Sequence, residues 1–239
     1  MTSPATPRTG GQLIVDMLAE NGVDRVFTVP GESFLAVLDA LKDMSIAVVN
    51  ARHEGGAAIM AEADGKLTGR PGVAIVTRGP GATNAAAGLH IARQDSTPMI
   101  LLVGQIARGH REREAFQEID YRRMFGEVAK WVAEIDSAER IPELLSRAFH
   151  VATSGRPGPV VLALPEDMLR ETATVALPHP FEPVETYPGL TQTAQLQKLL
   201  WAAERPFVIA GGSRWSDKAV GSLRRFAERF DLPVGVSFR

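Results

Sequence analysis

The feature that most constrains the fold is a repeated alternation between short apolar runs and longer segments whose apolar residues recur at helical spacing. Most runs contain few polar residues, which is typical of strands that are buried on both faces of a parallel sheet. Strands are predicted at residues 25–29, 46–50, 73–77, 99–103, 131–135 and 160–164. The sequence therefore predicts an α/β fold, an open parallel sheet flanked by helices on both faces.

The intervening helical segments carry ordinary start and stop signals. Thr9 can cap the first helix with its hydroxyl, and Gly22 can end that helix. Further helices are predicted at residues 33–42, 55–67, 82–92 and 140–152. With the strands, these helices form repeating strand–helix units.

A proline-rich stretch interrupts this alternation. Pro178, Pro180, Pro183 and Pro188 stand among acidic residues, as is typical of an interdomain linker. The predicted organisation is a flexible tail at residues 1–9, a first domain at 10–177, a linker at 178–190 and a second domain at 191–239.

The second domain is expected to be incomplete. Helices are predicted at residues 191–203 and 216–230, and strands at 206–210 and 232–236. Two strands and two helices cannot bury a sheet on both faces. We therefore expect a truncated chain, a split subunit or an incomplete gene.

Composition excludes several classes of function. The chain has 239 residues and a formal net charge of −2, so neither a nucleic-acid-binding nor a membrane-binding surface is expected. It contains no cysteine, which excludes disulfides, thiolate metal sites and thiol nucleophiles and fits a cytoplasmic location. Neither a membrane-spanning run nor a secretory signal is recognisable.

Two predicted strands are followed by segments suited to ligand binding. Glu54 follows the strand at 46–50, and the turn Gly79-Pro80-Gly81 follows the strand at 73–77. Ligands of open α/β sheets bind at the carboxyl ends of strands, and glycine lets a ligand approach the backbone closely. This combination suggests cofactor chemistry.

Each feature also has a simpler interpretation when it is taken alone. Glu54 could be a first-turn acid favoured by the helix dipole. The turn could be an ordinary strand–helix connection or a weak signal for phosphate binding, and Asn84 breaks the Gly-x-Gly-x-x-Gly spacing of a dinucleotide site.

Six segments taken together are more specific. They are Val-Phe-Thr-Val-Pro-Gly at 26–31, Arg-His-Glu-Gly-Gly-Ala-Ala at 52–58, Gly-Pro-Gly-Ala-Thr-Asn at 79–84, Asp-Ser-Thr-Pro at 95–98, Ala-Phe-Gln-Glu at 115–118 and Gly-Arg-Pro-Gly-Pro-Val at 155–160. In this order the chain resembles the amino-terminal, pyrimidine-binding domain of thiamine-diphosphate enzymes of the acetolactate synthase and pyruvate oxidase group. The segment after the linker resembles the start of the central domain of that group.

The resemblance implies thiamine diphosphate as the cofactor. It implies that Glu54 hydrogen-bonds N1′ of the cofactor's pyrimidine, since a carboxyl group partly withdrawn from water can share a proton with a ring nitrogen. Gln117 of the Ala-Phe-Gln-Glu segment would come close to cofactor and substrate as a second catalytic residue. The implied pyrimidine contacts, besides Glu54, are Pro30, Gly31, Thr77, Pro80 and Asn84.

The resemblance also implies partners. The substrate would be a small 2-oxo acid, and the enzyme a homodimer or homotetramer with its active site between subunits. The diphosphate and Mg²⁺ would be bound by a carboxy-terminal domain, so no metal site is expected here and the chain alone would be inactive. FAD stays undetermined, because only the start of the central domain is present.

Two residues depart from the usual pattern of acetolactate synthases. Glu32 stands where a small residue is common, and Arg78 where a small hydroxyl residue is common. Arg78 could pair with Glu32, bind a substrate carboxylate, or be a solvated charge. The step that follows decarboxylation, whether carboligation, protonation or oxidation, therefore stays open.

Two other functions are compatible with parts of the sequence. One is a non-catalytic partner or regulatory subunit built on a pyrimidine-type domain. The other is a Rossmann-like dinucleotide-binding protein, against which the missing glycine spacing argues.

Overall fold

The computed structural model describes residues 6–213 and 215–238. The chain divides into two compact units, Met1–Pro183 and Val184–Arg239. The boundary between the units lies inside the predicted linker at 178–190. The assignment of the linker and of the domains at 10–177 and 191–239 stays a prediction.

The first unit alternates strands and helices as its sequence pattern predicts. In chain order its elements are β1 (Arg8–Thr9), α1 (Gly10–Glu20), β2 (Arg25–Thr28), α2 (Leu35–Leu41), β3 (Ala47–Asn50), α3 (Glu54–Thr68), β4 (Gly72–Val76), α4 (Pro80–Asp95), β5 (Met99–Gln105), α5 (Tyr121–Phe125), β6 (Trp131–Glu134), α6 (Ile141–Thr153), β7 (Pro159–Pro165) and β8 (Thr172–Ala173).

Six of these strands form one parallel sheet in the order β3-β2-β4-β5-β7-β6. The chain leaves β2 toward β3 on one side and later continues from β4 toward β5 on the other. The carboxyl ends of β2 and β4 therefore flank a topological switch point, where open α/β sheets bind their ligands. At this point Thr28 Oγ1 donates a hydrogen bond of 2.6 Å to the carbonyl oxygen of Ile75.

Helices cover both faces of the sheet, as predicted. Alternate residues of the central strands pack against α1, α2 and α6 on one face. The remaining residues pack against α3, α4 and α5 on the other face. Because β4, β5 and β7 are buried along their whole length, their apolar runs do not alternate with polar residues.

The first helix begins as its sequence signal predicts. Thr9 Oγ1 accepts a hydrogen bond from the amide of Gln12, and the Gln12 side chain accepts one from the amide of Thr9, so the two form a capping box. At the other end, Gly22 has a φ of 73° just past the helix.

Three short elements were not predicted. Arg8–Thr9 pairs antiparallel with Thr172–Ala173, so the prediction of a flexible tail is wrong for these two residues. Residues 1–5 of that tail lie outside the described residues. The third element is α5, whose sequence is too short to show helical periodicity. The helix predicted at 33–42 is a 3-10 turn at Glu32–Phe34 followed by α2.

The second unit contains two parallel strands and two helices. They are α7 (Leu190–Ala202), β9 (Val208–Ala210), α8 (Asp217–Phe230) and β10 (Val234–Val236), and β9 pairs with β10. Neither α7 nor α8 has a buried residue among those described. That this unit is an incomplete domain stays a prediction. No described helix of either unit has the length and apolarity needed to cross a membrane.

We predict that Leu89→Ala lowers the free energy of unfolding by about 2–5 kcal/mol, because it leaves a cavity in the packed face between α4 and the sheet. Leu89 is fully buried, whereas Leu67 on α3 is 87% exposed. Leu67→Ala is therefore the control, with an expected change of at most about 0.5 kcal/mol. Urea denaturation of the two variants measures the difference, and equal losses would contradict the packing described.

Candidate functional site

The candidate site lies at the switch point, where the segments after β2, β3 and β4 come together. Gly31 follows β2 in an extended conformation, with a φ of −149°. A Cβ added to Gly31 would lie 2.4 Å from Thr77 Cβ. Because no side chain fits there, the Pro30–Gly31 backbone lies directly against Thr77. The structure thus brings together three of the predicted site residues.

Two hydroxyl groups stabilise the contact between Gly31 and Thr77. Ser33 Oγ and Thr77 Oγ1 are 2.9 Å apart, and the amide of Arg78 donates to Ser33 Oγ over 3.2 Å. Ser33 is buried against Gly104 of β5, where an added Cβ would lie only 1.9 Å from Ser33 Oγ. Neither Ser33 nor Gly104 is among the predicted site residues, because neither belongs to a recognisable spacing.

Glu54 is the first residue of α3 and is half-buried. Its Oε2 accepts a hydrogen bond of 2.9 Å from Asn84 Nδ2 on α4. The preceding residue, His53, caps α3 by accepting the amide of Gly55 on its Nδ1 at 3.0 Å. The helix N-terminus favours a negative charge at this position. The structure therefore brings the predicted residues Glu54 and Asn84 together in one hydrogen bond.

The turn after β4 brings the amino terminus of α4 close to Glu54. Gly79 has φ 61° and ψ −113°, a backbone conformation that suits glycine, and Pro80 begins the helix. A Cβ added to Gly81 would lie 2.7 Å from Thr77 Cγ2 and 3.3 Å from Glu54 Oε1. The turn therefore lies directly beside the Glu54 carboxylate, and Pro80 of the turn is exposed.

Gln117 contacts the same turn from the opposite side. A Cβ added to Gly79 would lie 2.7 Å from Gln117 Cβ. Gln117 itself has a φ of 67°, a left-handed conformation that is uncommon for a residue with a side chain. The Gly79–Gly81 turn is thus contacted by Gln117 at one end and by Glu54 at the other.

The loop that carries Gln117 is held by the next residue. The Glu118 carboxylate accepts the amides of Glu112 at 2.8 Å and Ala115 at 3.2 Å. These backbone hydrogen bonds, the one from Glu112 first, lower the pKa of Glu118. Glu118 belongs to the Ala-Phe-Gln-Glu segment, which was the only sequence signal for it.

For Arg78, the structure contradicts two of the three roles considered, the pair with Glu32 and the solvated charge. It does not pair with Glu32, which is exposed, and its own side chain is only 12% exposed. Its Nη1 instead forms an ion pair of 2.7 Å with Glu166 Oε2, just after β7. Arg78 therefore links the segments that follow β4 and β7.

Tyr121 is a further residue of the site that sequence reasoning missed. Its hydroxyl accepts the amide of Gly79 at 3.1 Å and donates to the carbonyl oxygen of Gly104 at 3.2 Å. Burial raises the pKa of Tyr121 to about 12, so the hydroxyl stays protonated at neutral pH. Its sequence neighbourhood is polar and aperiodic, which gave no reason to expect a buried side chain.

The arrangement suits an aromatic nitrogen heterocycle. Gly31 and Gly81 both pack closely against Thr77, and the half-buried Glu54 offers a carboxyl group beside this contact. Such a carboxyl group can accept or share a proton with a ring nitrogen. The described residues contain no group of three or more potential metal ligands.

Comparison with known proteins gives a consistent result. Residues 8–124 match the family described as thiamine pyrophosphate enzyme, N-terminal TPP binding domain. The chain is 34% identical to the acetolactate synthase of Bacillus subtilis over 232 residues, which is 96% of this chain and 40% of that protein.

Two other relatives agree with this match. Identity is 38% to the acetolactate synthase large subunit IlvB1 of Mycobacterium tuberculosis, over 95% of this chain and 37% of that protein. It is 37% to the acetolactate synthase isozyme 2 large subunit of Escherichia coli, over 96% of this chain and 42% of that protein. The chain thus spans about 40% of the length of the curated relatives it matches.

We predict that the stability difference between wild type and Tyr121→Phe depends on pH. The folded state raises the pKa of Tyr121 from 10.0 to about 12, so it binds the proton more tightly than the unfolded chain does. The resulting stabilisation is complete below pH 10 and is lost as the pH rises from about 10 to about 12. Below pH 10 we expect the variant to be less stable by about 1–3 kcal/mol, because the Gly79 amide loses its acceptor.

Urea unfolding of both proteins at a series of pH values measures this difference. The difference should narrow above pH 10, since only the wild type carries the tyrosine. A constant difference across the alkaline range would contradict the burial of the Tyr121 hydroxyl.

Proposed function

We propose that the chain is the amino-terminal part of a thiamine-diphosphate-dependent enzyme that acts on 2-oxo acids, since residues 8–124 match the N-terminal TPP binding domain of thiamine pyrophosphate enzymes. The main support is the carboxyl group of Glu54, which Asn84 holds beside the closely packed glycine segments that follow β2 and β4. These segments meet at the switch point of the sheet.

Thiamine diphosphate, when bound, supplies an electron sink through its thiazolium C2, which loses a proton to the cofactor's own aminopyrimidine. The protein's task is to place the pyrimidine and to hold a proton at its N1′. We assign this task to Glu54, whose carboxyl group can share that proton. Asn84 donates to Oε2 of this carboxyl group and so fixes its orientation.

The other site residues would position and enclose the ring. Gly31 and Thr77, which pack against each other, would contact one side of the ring, and the exposed Pro80 would stand at its end. Gln117 packs against Gly79 on the opposite side of the turn, and we assign it a contact with the substrate. A glutamine amide there could donate a hydrogen bond to a substrate oxygen.

The proposed reaction is decarboxylation of a 2-oxo acid followed by carboligation to acetolactate. Its support is the identity of 34–38% to proteins named acetolactate synthases, which extends over 95–96% of the chain. This makes a non-catalytic regulatory partner the less favoured alternative. With pyruvate, thiamine diphosphate and Mg²⁺, the full-length enzyme should form acetolactate. Release of acetaldehyde alone would instead indicate a decarboxylase.

The remaining parts of the site would come from elsewhere. We propose that the diphosphate and Mg²⁺ are bound by a part of the enzyme that this chain does not span. We also propose a homodimer or homotetramer, with the partner subunit covering the exposed apolar residues Ile59 on α3 and Ile91 on α4. A chain without cysteine fits an enzyme of the cytoplasm.

We predict that Glu54→Gln in the full-length enzyme slows exchange of the C2 proton of bound thiamine diphosphate by at least about a hundredfold, because an amide cannot supply the proton. Proton NMR after acid quench in deuterium oxide measures the exchange. Glu20→Gln is the control, since Glu20 is an exposed glutamate at the end of α1 on the other face of the sheet. Near-normal exchange in Glu54→Gln would remove Glu54 from this role.

We predict that Gly81→Ala weakens thiamine diphosphate binding by about tenfold, because the new methyl group would crowd Thr77 and Glu54. Gly56→Ala is the matched control, since a Cβ at Gly56 would meet nothing within 4 Å. Quenching of protein fluorescence by the cofactor measures both affinities. If Gly81→Ala binds as tightly as Gly56→Ala, the space beside Gly81 is not the pyrimidine site.

A further inference from the structure

One buried hydroxyl connects three segments at the carboxyl end of the sheet. Tyr121 is 3% exposed, and its hydroxyl joins the amide of Gly79, just after β4, to the carbonyl oxygen of Gly104 on β5. Asp120 caps α5 by accepting the amides of Arg122 and Arg123, which fixes the backbone next to Tyr121. The side chain is therefore a bridge between α5, the Gly79 turn and the sheet.

The Gly79 turn needs such a bridge. Its backbone is in a conformation that favours glycine, and glycine is the residue least restricted to one conformation. The Gly79 amide is the last before α4, and the Gly79 carbonyl accepts the amide of Thr83 in the first turn of that helix. Whatever fixes Gly79 therefore also fixes the direction in which α4 begins.

The direction of α4 matters because Asn84 lies in its second turn. Asn84 Nδ2 donates to Glu54 Oε2, so a tilt at the start of α4 would move or break this hydrogen bond. The same segment that supplies Tyr121 also places Gln117 against Gly79. Gln117 and Tyr121, which both contact Gly79, thus belong to one stretch of chain. Of these two, only Tyr121 forms a hydrogen bond with the Gly79 backbone.

We propose that Tyr121 is a positioning residue for the cofactor site: its hydroxyl fixes the Gly79 turn and thereby holds Asn84 and Glu54 in the orientation that the pyrimidine requires. This inference rests on the proposed function, and it adds a residue for which the sequence motifs gave no signal. The Tyr121 hydroxyl is protonated at neutral pH, so it donates to Gly104 while it accepts from Gly79.

The test uses the full-length enzyme with the variant Tyr121→Phe, which removes only the hydroxyl. Two quantities are measured: deuterium exchange of the Gly79 amide, resolved by mass spectrometry, and the exchange rate of the C2 proton of bound thiamine diphosphate. We expect loss of protection at Gly79 and a C2 exchange rate lower by about tenfold to a hundredfold. KM for the substrate should change less than kcat, because the buried Tyr121 hydroxyl is already paired with Gly79 and Gly104.

Phe125→Leu is the matched control. Phe125 stacks on Tyr121 with ring centroids 6.0 Å apart, and it belongs to the same buried face. This variant should lose stability while it keeps both the protection of Gly79 and the C2 exchange rate. If Phe125→Leu slows C2 exchange as much as Tyr121→Phe does, the effect comes from packing and the proposal is wrong.

Further outcomes also decide the matter. Wild-type rates of both exchanges in Tyr121→Phe would overturn the proposal. If Tyr121→Phe does not fold, deuterium exchange of the wild-type protein still tests the proposal. We expect the Gly79 amide to exchange more slowly than the amide of exposed Gly56, and equal rates would mean that Tyr121 does not hold Gly79. Failure of the wild type to bind thiamine diphosphate would refute the proposed function, whereas loss of Gly79 protection in Tyr121→Phe would still support the bridge.

Discussion

The site depends on the close approach of two backbone segments at the switch point of the parallel sheet. Gly31 after β2 and Gly81 after β4 both lie against Thr77, at distances where no Cβ could fit. The chain turns in opposite directions after β2 and β4, which brings these two segments to the switch point of the sheet. The glycines permit this close packing beside the Glu54 carboxyl group.

Several charged groups at the carboxyl end of the sheet are held in ion pairs. Arg78 pairs with Glu166, and Arg108 pairs with Asp167 at 2.8 Å. These two ion pairs connect the segments after β4 and β5 to the segment after β7. Arg111 forms an ion pair with Glu134 of β6. The Glu54 carboxyl group differs from these charged groups, because its hydrogen-bond partner is the neutral side-chain amide of Asn84. It can therefore interact with a ligand without breaking an ion pair.

Much of the fold followed from local patterns. Buried strands such as β4 and β5 have continuous apolar runs, and α1 carries a capping box, so their positions could be predicted from neighbouring residues alone. Glu54 and Asn84 were found because each belongs to a short recognisable segment. By contrast, Arg78 and Glu166 are 88 residues apart in the chain. They pair because the folded sheet places the carboxyl ends of β4 and β7 on the same side. Tyr121 lies in a polar stretch, and its burial depends on packing between distant elements.

The proposed function depends on the Glu54 carboxyl group facing the pyrimidine of thiamine diphosphate. A crystal structure of the full-length enzyme with the cofactor bound would show this contact. We expect a Glu54 carboxyl oxygen within about 2.6–3.2 Å of N1′, with Asn84 still donating to the other oxygen or to the same one. A pyrimidine bound elsewhere, or a Glu54 side chain that contacts only protein or solvent, would contradict it.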